Sequence, residues 1–396
     1  MQLSTRVQNL TESQTIAMAE KSRALKLQGI DIISLSLGEP DFDTPLHIQE
    51  AAKLAIDQHY FAYTPVPGYL ELRQAICNKL LRDNQLHYTP EQIVVSTGAK
   101  QSLINVLLCL LNDGDEVLIP APYWVSYYEM VRMAGGTPVV LPTSIATDYK
   151  ATPEQIKAAI TPRTRGFMFS SPSNPTGEVY SQSELQALAD VFVQHPDITI
   201  ISDEIYEYIN FLGTHHSIAQ CAEVNAQTVV INGFSKGFAM TGWRLGYIAA
   251  PLNMAKACSK MQGQFTSGTS SIMQRAGITA LNDSLQPTFD MRDAFMRRRD
   301  IVYNGLKNIE GVLPNYPKGA FYIFPDISFY FGKKTANHHI QNAEDLAMYL
   351  LDQAHVAVVT GEAFGNPNCI RISFAASDHD LQRAVENIKS ALELLQ

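Results

Sequence analysis

The chain has 396 residues, of which 46% are hydrophobic and 17% charged, and its formal net charge at pH 7 is −9. That length favours two domains or one large α/β domain with a sizeable buried core. Because acidic and basic residues are interspersed, the composition argues against nucleic acid or an anionic membrane as the main partner. The N-terminus has no apolar core of signal-peptide length, and the longest strongly apolar run, Val106 to Leu111, is too short to cross a bilayer.

The cysteines and histidines show no ligand spacing. The five cysteines are widely separated, which predicts reduced, mostly buried thiols in a cytoplasmic protein. The pairs His215-His216 and His338-His339 lie in polar stretches and are predicted at the surface, so no metal site is expected. Neither a G-x-G dinucleotide fingerprint nor a Walker P-loop occurs. The one basic run, Arg297 to Arg299, is interpreted as a solvated or ion-paired helix face.

The first predicted elements lie before residue 60. Residues 1 to 30 are predicted to form an arm and a helix that ends at Gly29. Asp31 to Leu37 predicts a short strand, which runs into a turn at Gly38 to Asp41. We place Thr44 as the N-cap of the next helix, since Pro45 suits the first helical position.

From Gln92 onwards, strands and helices alternate. Two of the helices begin at capping boxes, Thr152 to Gln155 and Ser181 to Glu184. Seven apolar runs predict strands, at 93–97, 117–119, 139–141, 166–170, 198–202, 229–231 and 245–249. The alternation predicts an α/β fold with a mainly parallel seven-stranded sheet covered by helices, in which ligands bind beyond the carboxyl ends of the strands.

After Met254 the pattern changes to a long helical region, with Pro287 as a candidate break, followed by short strands and helices. The later strands are predicted at 320–324, 356–359 and 370–374. These elements suit a smaller α+β domain that the strand at 31–37 joins. We therefore predict an N-terminal arm with the first part of the small domain, a large domain and a small C-terminal domain, at residues 1–44, 45–285 and 286–396.

Several residues that follow predicted strands have useful chemistry. Gly98-Ala99-Lys100 opens a helix whose free N–H groups could bind phosphate, although a plain turn would look the same. Trp124 could belong to the core or stack on a planar cofactor. Asn174 lies in S-P-S-N-P-T-G, where its amide could donate to a phenolate-type oxygen. No one of these signals decides the function.

The later strand ends are more specific. Asp203 could face the protonated nitrogen of a pyridine ring, with Tyr206 at the ring oxygen, or it could cap a helix. Ser235-Lys236 lies in a glycine-rich turn, and a lysine amine can form a Schiff base with a carbonyl cofactor. Arg244 could hold a phosphate and Arg371 a carboxylate. Together these groups fit pyridoxal 5′-phosphate and an amino acid.

The combination of motifs extends over nearly the whole chain. They are L-S-L-G-E-P-D-F-D-T-P at 35–45, Y-T-P-V-P-G at 63–68, S-T-G-A-K-Q at 96–101, P-Y-W-V-S-Y at 122–127, S-P-S-N-P-T-G at 171–177, S-D-E-I-Y-E at 202–207, S-K-G-F-A-M-T-G-W-R-L-G at 235–246 and I-R-I-S-F-A at 370–375. The sequence resembles the fold-type I, class I aminotransferases, and within them the bacterial aspartate aminotransferase subgroup that includes aspartate/prephenate aminotransferases.

This resemblance implies three catalytic residues, Lys236 with the Schiff base, Asp203 at the pyridinium nitrogen and Tyr206 at the ring oxygen. It implies further cofactor contacts from Gly98, Ala99, Lys100, Trp124, Asn174, Ser235, Arg244 and Tyr63. It implies substrate contacts from Gly38, Lys100, Trp124, Asn174 and Arg371. Tyr63 would reach the phosphate in the neighbouring subunit, which implies a homodimer with shared active sites.

The resemblance also bears on the substrate. One branch of the family binds the second carboxylate of aspartate with an arginine from the partner, but the corresponding stretch, 263–271, contains none. The bacterial subgroup uses a lysine at the position of Lys100. The expected reaction is therefore ping-pong transamination of L-aspartate with 2-oxoglutarate. Alternatives are an aminotransferase for prephenate, aromatic amino acids or alanine and, remotely, a non-catalytic cofactor-binding regulator, which would need a DNA-binding domain ahead of residue 4.

Overall fold

The computed structural model describes residues 2–8, 10–11 and 14–396 of the chain. The strands are β1 (Ile33–Ser34), β2 (Ile93–Ser96), β3 (Glu116–Ala121), β4 (Thr137–Pro142), β5 (Thr164–Ser170), β6 (Thr199–Asp203), β7 (Thr228–Gly233), β8 (Gly246–Ala249), β9 (Tyr322–Ile323), β10 (Val356–Ala357), β11 (Val359–Thr360) and β12 (Ile370–Ser373). The helices are α1 (Thr5–Gln8), α2 (Gln14–Leu27), α3 (Leu46–Asp57), α4 (Leu70–Asn84), α5 (Ala99–Leu110), α6 (Ser126–Met133), α7 (Pro153–Ala159), α8 (Gln182–Phe192), α9 (Leu252–Phe265), α10 (Ser271–Asn282), α11 (Gln286–Leu306), α12 (Ala343–Tyr349) and α13 (Asp378–Leu392).

Seven of the strands form one sheet in the order β2-β8-β7-β6-β5-β3-β4. Strand β8 is antiparallel to both of its neighbours, and the other pairs are parallel. The prediction of a mainly parallel seven-stranded α/β sheet is confirmed. Since β2, β3, β5, β6 and β7 run in the same direction, the loops that follow them meet at one edge of the sheet.

The central strands are buried on both faces. In β7, Val229 and Ile231 pack into one apolar cluster and Val230 into another on the opposite face, as the two-residue period of a strand requires. Helices cover both clusters, and the rows of β-branched and aliphatic residues explain why the sequence shows continuous apolar runs rather than alternation. This packing fixes the strand ends, and therefore the loops that bear the polar residues.

A second core lies apart from the large sheet. Strand β1 pairs in parallel with β10, and β9, β12 and β11 form a small antiparallel sheet. The apolar side chains of β1, β9, β10 and β12 share one buried cluster with α11 and α13, in which Ile33 lies with Phe321, Ile372 and Leu381. The N-terminal strand therefore joins the C-terminal elements, as predicted, but it is shorter than 31–37. The domain boundaries after residues 44 and 285 stay a prediction.

Two of the three predicted helix N-caps are confirmed. Both capping boxes are present, with Thr152 accepting from the Gln155 N–H and Ser181 from the Glu184 N–H. Pro287 lies in the first turn of α11, where it separates this helix from α10. The prediction for Thr44 was wrong by one residue. Helix α3 is preceded directly by Pro45, and the Thr44 hydroxyl donates instead to the carbonyl of Ala239 at 2.7 Å.

Of two predictions about polar surface residues, one is confirmed and the other is wrong. Arg297 and Arg298 both donate to Asp378, so the prediction of an ion-paired basic run is confirmed. The surface prediction for His215 was wrong, because its side chain is 7% exposed and its Nε2 lies 3.0 Å from the Glu204 carboxylate. None of the described helices is long and apolar enough to cross a membrane.

Candidate active site

A cavity of about 310 Å³ opens where the loops after the parallel strands meet the small sheet. Its walls include most of the residues that the sequence singled out, namely Gly38, Ala99, Lys100, Trp124, Asn174, Asp203, Tyr206, Ser235, Lys236, Arg244 and Arg371. These residues come from many separate chain segments. Their convergence on one cavity is a property of the fold rather than of any single motif.

Lys236 lies in the turn after β7, and its amine donates a hydrogen bond to the carbonyl of Gly38. Burial lowers the pKa of this amine to about 8, and the positive charges of Arg371 and Arg244 act in the same direction against Glu39. A larger share of the amine is therefore unprotonated near neutral pH than for an exposed lysine. An unprotonated amine can attack a carbonyl group or accept a proton.

Asp203 ends β6 and is 4% exposed. Its Oδ2 accepts from the Tyr127 hydroxyl at 2.5 Å, and its Oδ1 accepts from the N–H of Ile205 at 3.2 Å. Burial raises the pKa of the carboxyl group to about 6, opposed chiefly by the Tyr127 hydrogen bond. Both donors are neutral, so a cationic N–H on a bound ring would complete the pairing of this buried acid. The chain continues as a turn rather than a helix, so Asp203 caps no helix.

Positive groups gather at the N-terminus of α5. Gly98 precedes the helix at φ 82°, and the guanidinium of Arg244 lies so near that a Cβ on Gly98 would be 2.4 Å from its Nη2. Arg244 is held by a hydrogen bond to the carbonyl of Thr241 at 2.8 Å. Ser235 and Lys100 also line the cavity. Free helix N–H groups, the Ser235 hydroxyl and the Arg244 guanidinium form a donor set suited to a phosphate.

Arg371 lies on β12 at the other side of the cavity and is 2% exposed. Its Nη1 donates to the Asn174 side-chain oxygen at 3.0 Å and its Nη2 to the carbonyl of Ser36. Both acceptors are uncharged, and its Nε has no hydrogen-bond partner among the residues described. A buried guanidinium without an acidic partner is costly, so this site suits the carboxylate of a ligand. Asn174 uses its oxygen here, which leaves its NH₂ group to donate elsewhere.

Two aromatic residues complete the predicted set within the cavity. The ring of Trp124 is half-buried and lies 4.8 Å from Lys100 Nζ. Its place in the cavity wall favours stacking on a ligand over a purely core position. Tyr206 is 3% exposed, and its hydroxyl lies 2.8 Å from that of Tyr322.

Two predicted residues lie outside this cavity wall. Gly98 packs against the guanidinium of Arg244 and does not line the cavity. Tyr63 is 96% exposed and belongs to no wall of the cavity in its own chain, so a role in a neighbouring subunit stays a prediction. Sequence reasoning did not single out Tyr127 or Tyr322. Tyr127 ends the P-Y-W-V-S-Y motif and Tyr322 lies in a predicted strand, but nothing in either pattern indicates a contact with Asp203 or Tyr206.

Comparison with known proteins agrees with this geometry. The family model "Aminotransferase class I and II" matches residues 30–388. A bifunctional aspartate aminotransferase and glutamate/aspartate-prephenate aminotransferase of Petunia hybrida is 49% identical over 98% of this chain and 82% of its own length. An aspartate/prephenate aminotransferase of Cereibacter sphaeroides is 47% identical over 98% of each chain.

Solved structures show the same fold. The aspartate aminotransferase of Rhizobium meliloti superposes with a TM-score of 0.97, at 40% identity and full coverage of both chains. That of Thermus thermophilus with maleate gives 0.92, at 40% identity over 99% of this chain and 100% of the other. With the family model spanning most of the sequence, the chain belongs to the class I and II aminotransferases.

Proposed function

We propose that this aminotransferase uses pyridoxal 5′-phosphate to transfer the amino group of L-aspartate to 2-oxoglutarate, which yields oxaloacetate and L-glutamate. The observation that supports it most is the arrangement around Lys236. Its amine of lowered pKa shares one cavity with a buried acid, a phosphate-type donor set and a buried guanidinium without an acidic partner. A carbonyl cofactor with a ring cation and a phosphate, together with a substrate carboxylate, matches these four features.

The residues suit the cofactor as follows. Lys236 would form the covalent link, and Asp203 would pair with the ring nitrogen, held in place by Tyr127. The phosphate would lie against Arg244, Ser235 and the first N–H groups of α5. Two donors remain for the ring oxygen, the amide of Asn174 and the hydroxyl of Tyr206, and Trp124 would lie against the ring face. When bound, pyridoxal phosphate supplies an electron sink for the charge that develops at the substrate Cα.

In this proposal the protein contributes binding, orientation and proton transfer. Arg371 and the backbone at Gly38 hold the α-carboxylate, which aims the Cα–H bond at Lys236. When it is free of the cofactor, the amine of Lys236 would take the Cα proton as general base and would return it as general acid. Asp203 would keep the ring nitrogen of the bound cofactor protonated. A 2-oxo acid then reverses the sequence, as a ping-pong mechanism requires.

The proposal for a dicarboxylic substrate depends on Lys100. It borders the cavity at the first turn of α5, with Nζ near the Trp124 ring, and burial and Arg244 lower its pKa. Two observations support aspartate: the relatives compared above are aminotransferases of aspartate, and the Thermus thermophilus structure holds maleate, itself a dicarboxylate. A cation at the rim of the cavity, whose side chain stays partly exposed, can pair with a second carboxylate without a buried partner having to be displaced.

Lys100→Ala should lower kcat/KM for aspartate about tenfold to a hundredfold and leave kcat/KM for alanine within about twofold, because only aspartate has a second carboxylate to lose a charged partner. Steady-state assays with both donors measure this, with Lys100→Arg as the variant that keeps the charge. Equal losses for the two donors would contradict the assignment of Lys100 to the distal carboxylate.

A second candidate substrate is prephenate. Relatives at 49% and 47% identity include this activity in their names and match this chain along nearly all of its length. Prephenate also has a second carboxylate, so Lys100 would serve it equally. Purified protein charged with glutamate and offered oxaloacetate or prephenate as acceptors would rank the two, and turnover of oxaloacetate alone would exclude this candidate.

We also propose a homodimer in which Tyr63 reaches the neighbouring site. The loop around Tyr63 packs on α9, where Gln262 Nε2 donates to the carbonyl of Val66 at 2.9 Å. Its tip leaves Phe61 64% and Tyr63 96% exposed, and Phe265 on α9 is 65% exposed. Exposed aromatic side chains of this size favour a covering partner.

Sedimentation should show that the protein is a dimer. Tyr63→Phe should weaken cofactor binding about tenfold while the dimer stays intact. A monomer that binds the cofactor fully would contradict the proposal.

A further inference from the structure

Tyr322 contacts three of the groups assigned above. We propose that it is a positioning residue of this site, whose hydroxyl orients the proton of Tyr206 and whose ring holds the guanidinium of Arg371. The inference rests on the proposed function, since it assigns Tyr206 to the cofactor and Arg371 to the substrate. Tyr322 lines the cavity and has no solvent exposure of its own.

The ring contact follows from the small sheet. Tyr322 on β9 pairs with Ser373 on β12, and Arg371 lies two residues before Ser373 on the same face. The centre of the Arg371 guanidinium is 4.6 Å from the centroid of the Tyr322 ring. A cation over an aromatic face is attracted most strongly where water is excluded. The ring thus stabilises the buried cation without occupying its N–H groups, which an acidic partner would do, and the charge stays available to a carboxylate.

The hydroxyl contact concerns the other end of the site. The Tyr322 and Tyr206 hydroxyl oxygens lie 2.8 Å apart, and either could donate. If Tyr206 donates its proton to the cofactor oxygen, its own oxygen is left to accept, so Tyr322 must be the donor of the pair. Gly38 lies against the same hydroxyl, since a Cβ there would be 2.4 Å from it. Linked hydrogen bonds polarise one another, so the Tyr322 proton strengthens Tyr206 as a donor.

Two substitutions separate these effects. Tyr322→Phe removes the hydroxyl and keeps the ring, whereas Tyr322→Met removes both with a flexible side chain that refills the space. The matched control is Tyr349→Phe, which deletes another buried hydroxyl of the same core. That hydroxyl does not line the cavity, and it donates to the carbonyl of Ala391 at a distance of 2.7 Å. The measurements are the pH titration of the visible band of the cofactor-loaded protein, equilibrium binding of maleate, and thermal unfolding.

Tyr322→Phe should raise the apparent pKa of the visible band by about half a pH unit, because a weaker donor leaves more negative charge on the ring oxygen to hold the proton of the Lys236 linkage. Maleate binding should stay within about twofold. Tyr322→Met should show the same shift and bind maleate roughly tenfold more weakly. Tyr349→Phe should change neither the titration of the visible band nor the binding of maleate.

A Tyr322→Phe band that titrates as in the wild type would overturn the role of the hydroxyl. Wild-type maleate affinity in Tyr322→Met would overturn the role of the ring. If instead the wild-type protein develops no visible band with pyridoxal phosphate, the proposed function itself fails, and the two failures are thereby told apart.

Discussion

Replacing Lys236 with alanine should reduce the turnover of aspartate and 2-oxoglutarate by about 10⁴-fold or more, because the variant loses both the covalent link and the general base. The substitution removes the side chain beyond Cβ, whose amine donates to the carbonyl of Gly38 and forms no ion pair with another described residue. Release of oxaloacetate measures the effect. Lys157→Ala, on the exposed side of α7, is the control and should keep wild-type turnover.

The lowered pKa of Lys236 adds a pH dependence to the same prediction. Burial brings the amine of the cofactor-free protein to a pKa of about 8. Since only the unprotonated amine attacks a carbonyl, the rate of cofactor attachment should rise with pH and level off above that value. A rate that still increases steeply well beyond this point would indicate an amine with an ordinary lysine pKa, and retained turnover in Lys236→Ala would contradict the mechanism altogether.

Arg371→Lys should lower kcat/KM about a hundredfold for aspartate and alanine alike. A lysine keeps the charge but loses the planar pair of donors that a carboxylate accepts, and it cannot reproduce the bonds to Asn174 and Ser36. The equal loss for both donors distinguishes this variant from Lys100→Ala, which should discriminate between them.

Arg297→Lys serves as the control for Arg371→Lys. Arg297 is paired with Asp378 at the surface, where exchange of one cation for another should leave kcat/KM unchanged. If Arg371→Lys lowered activity towards aspartate alone, Arg371 would bind the distal rather than the α-carboxylate, and the orientation of the substrate proposed here would have to be reversed.

The sequence predicts the elements of this fold better than their arrangement. Each strand of the large sheet is a short apolar run with turn residues at its ends, which is a local signal. The position of β8 between β2 and β7, antiparallel to both, depends on pairing between distant segments and could not be inferred. Thr44 shows the same limit on a smaller scale, since a carbonyl almost two hundred residues away competes for its hydroxyl.

The site shows a similar division. Lys236, Asp203 and Asn174 stand out because turns and strand ends place chemically distinctive residues in unusual local settings. Tyr127 and Tyr322 act through single hydroxyl contacts that only the tertiary register creates. His215 was wrongly predicted at the surface, because its polar neighbours in sequence give no sign of its contact with the buried carboxylate of Glu204.

Chemical trapping tests the central claim most directly. The protein loaded with pyridoxal phosphate is reduced with borohydride, digested and analysed by mass spectrometry, so that the linkage is fixed as a secondary amine on one lysine. We predict that the pyridoxyl phosphate group is found on Lys236. Labelling of Lys100, the other amine that borders the cavity, or a protein that retains no label, would contradict the account.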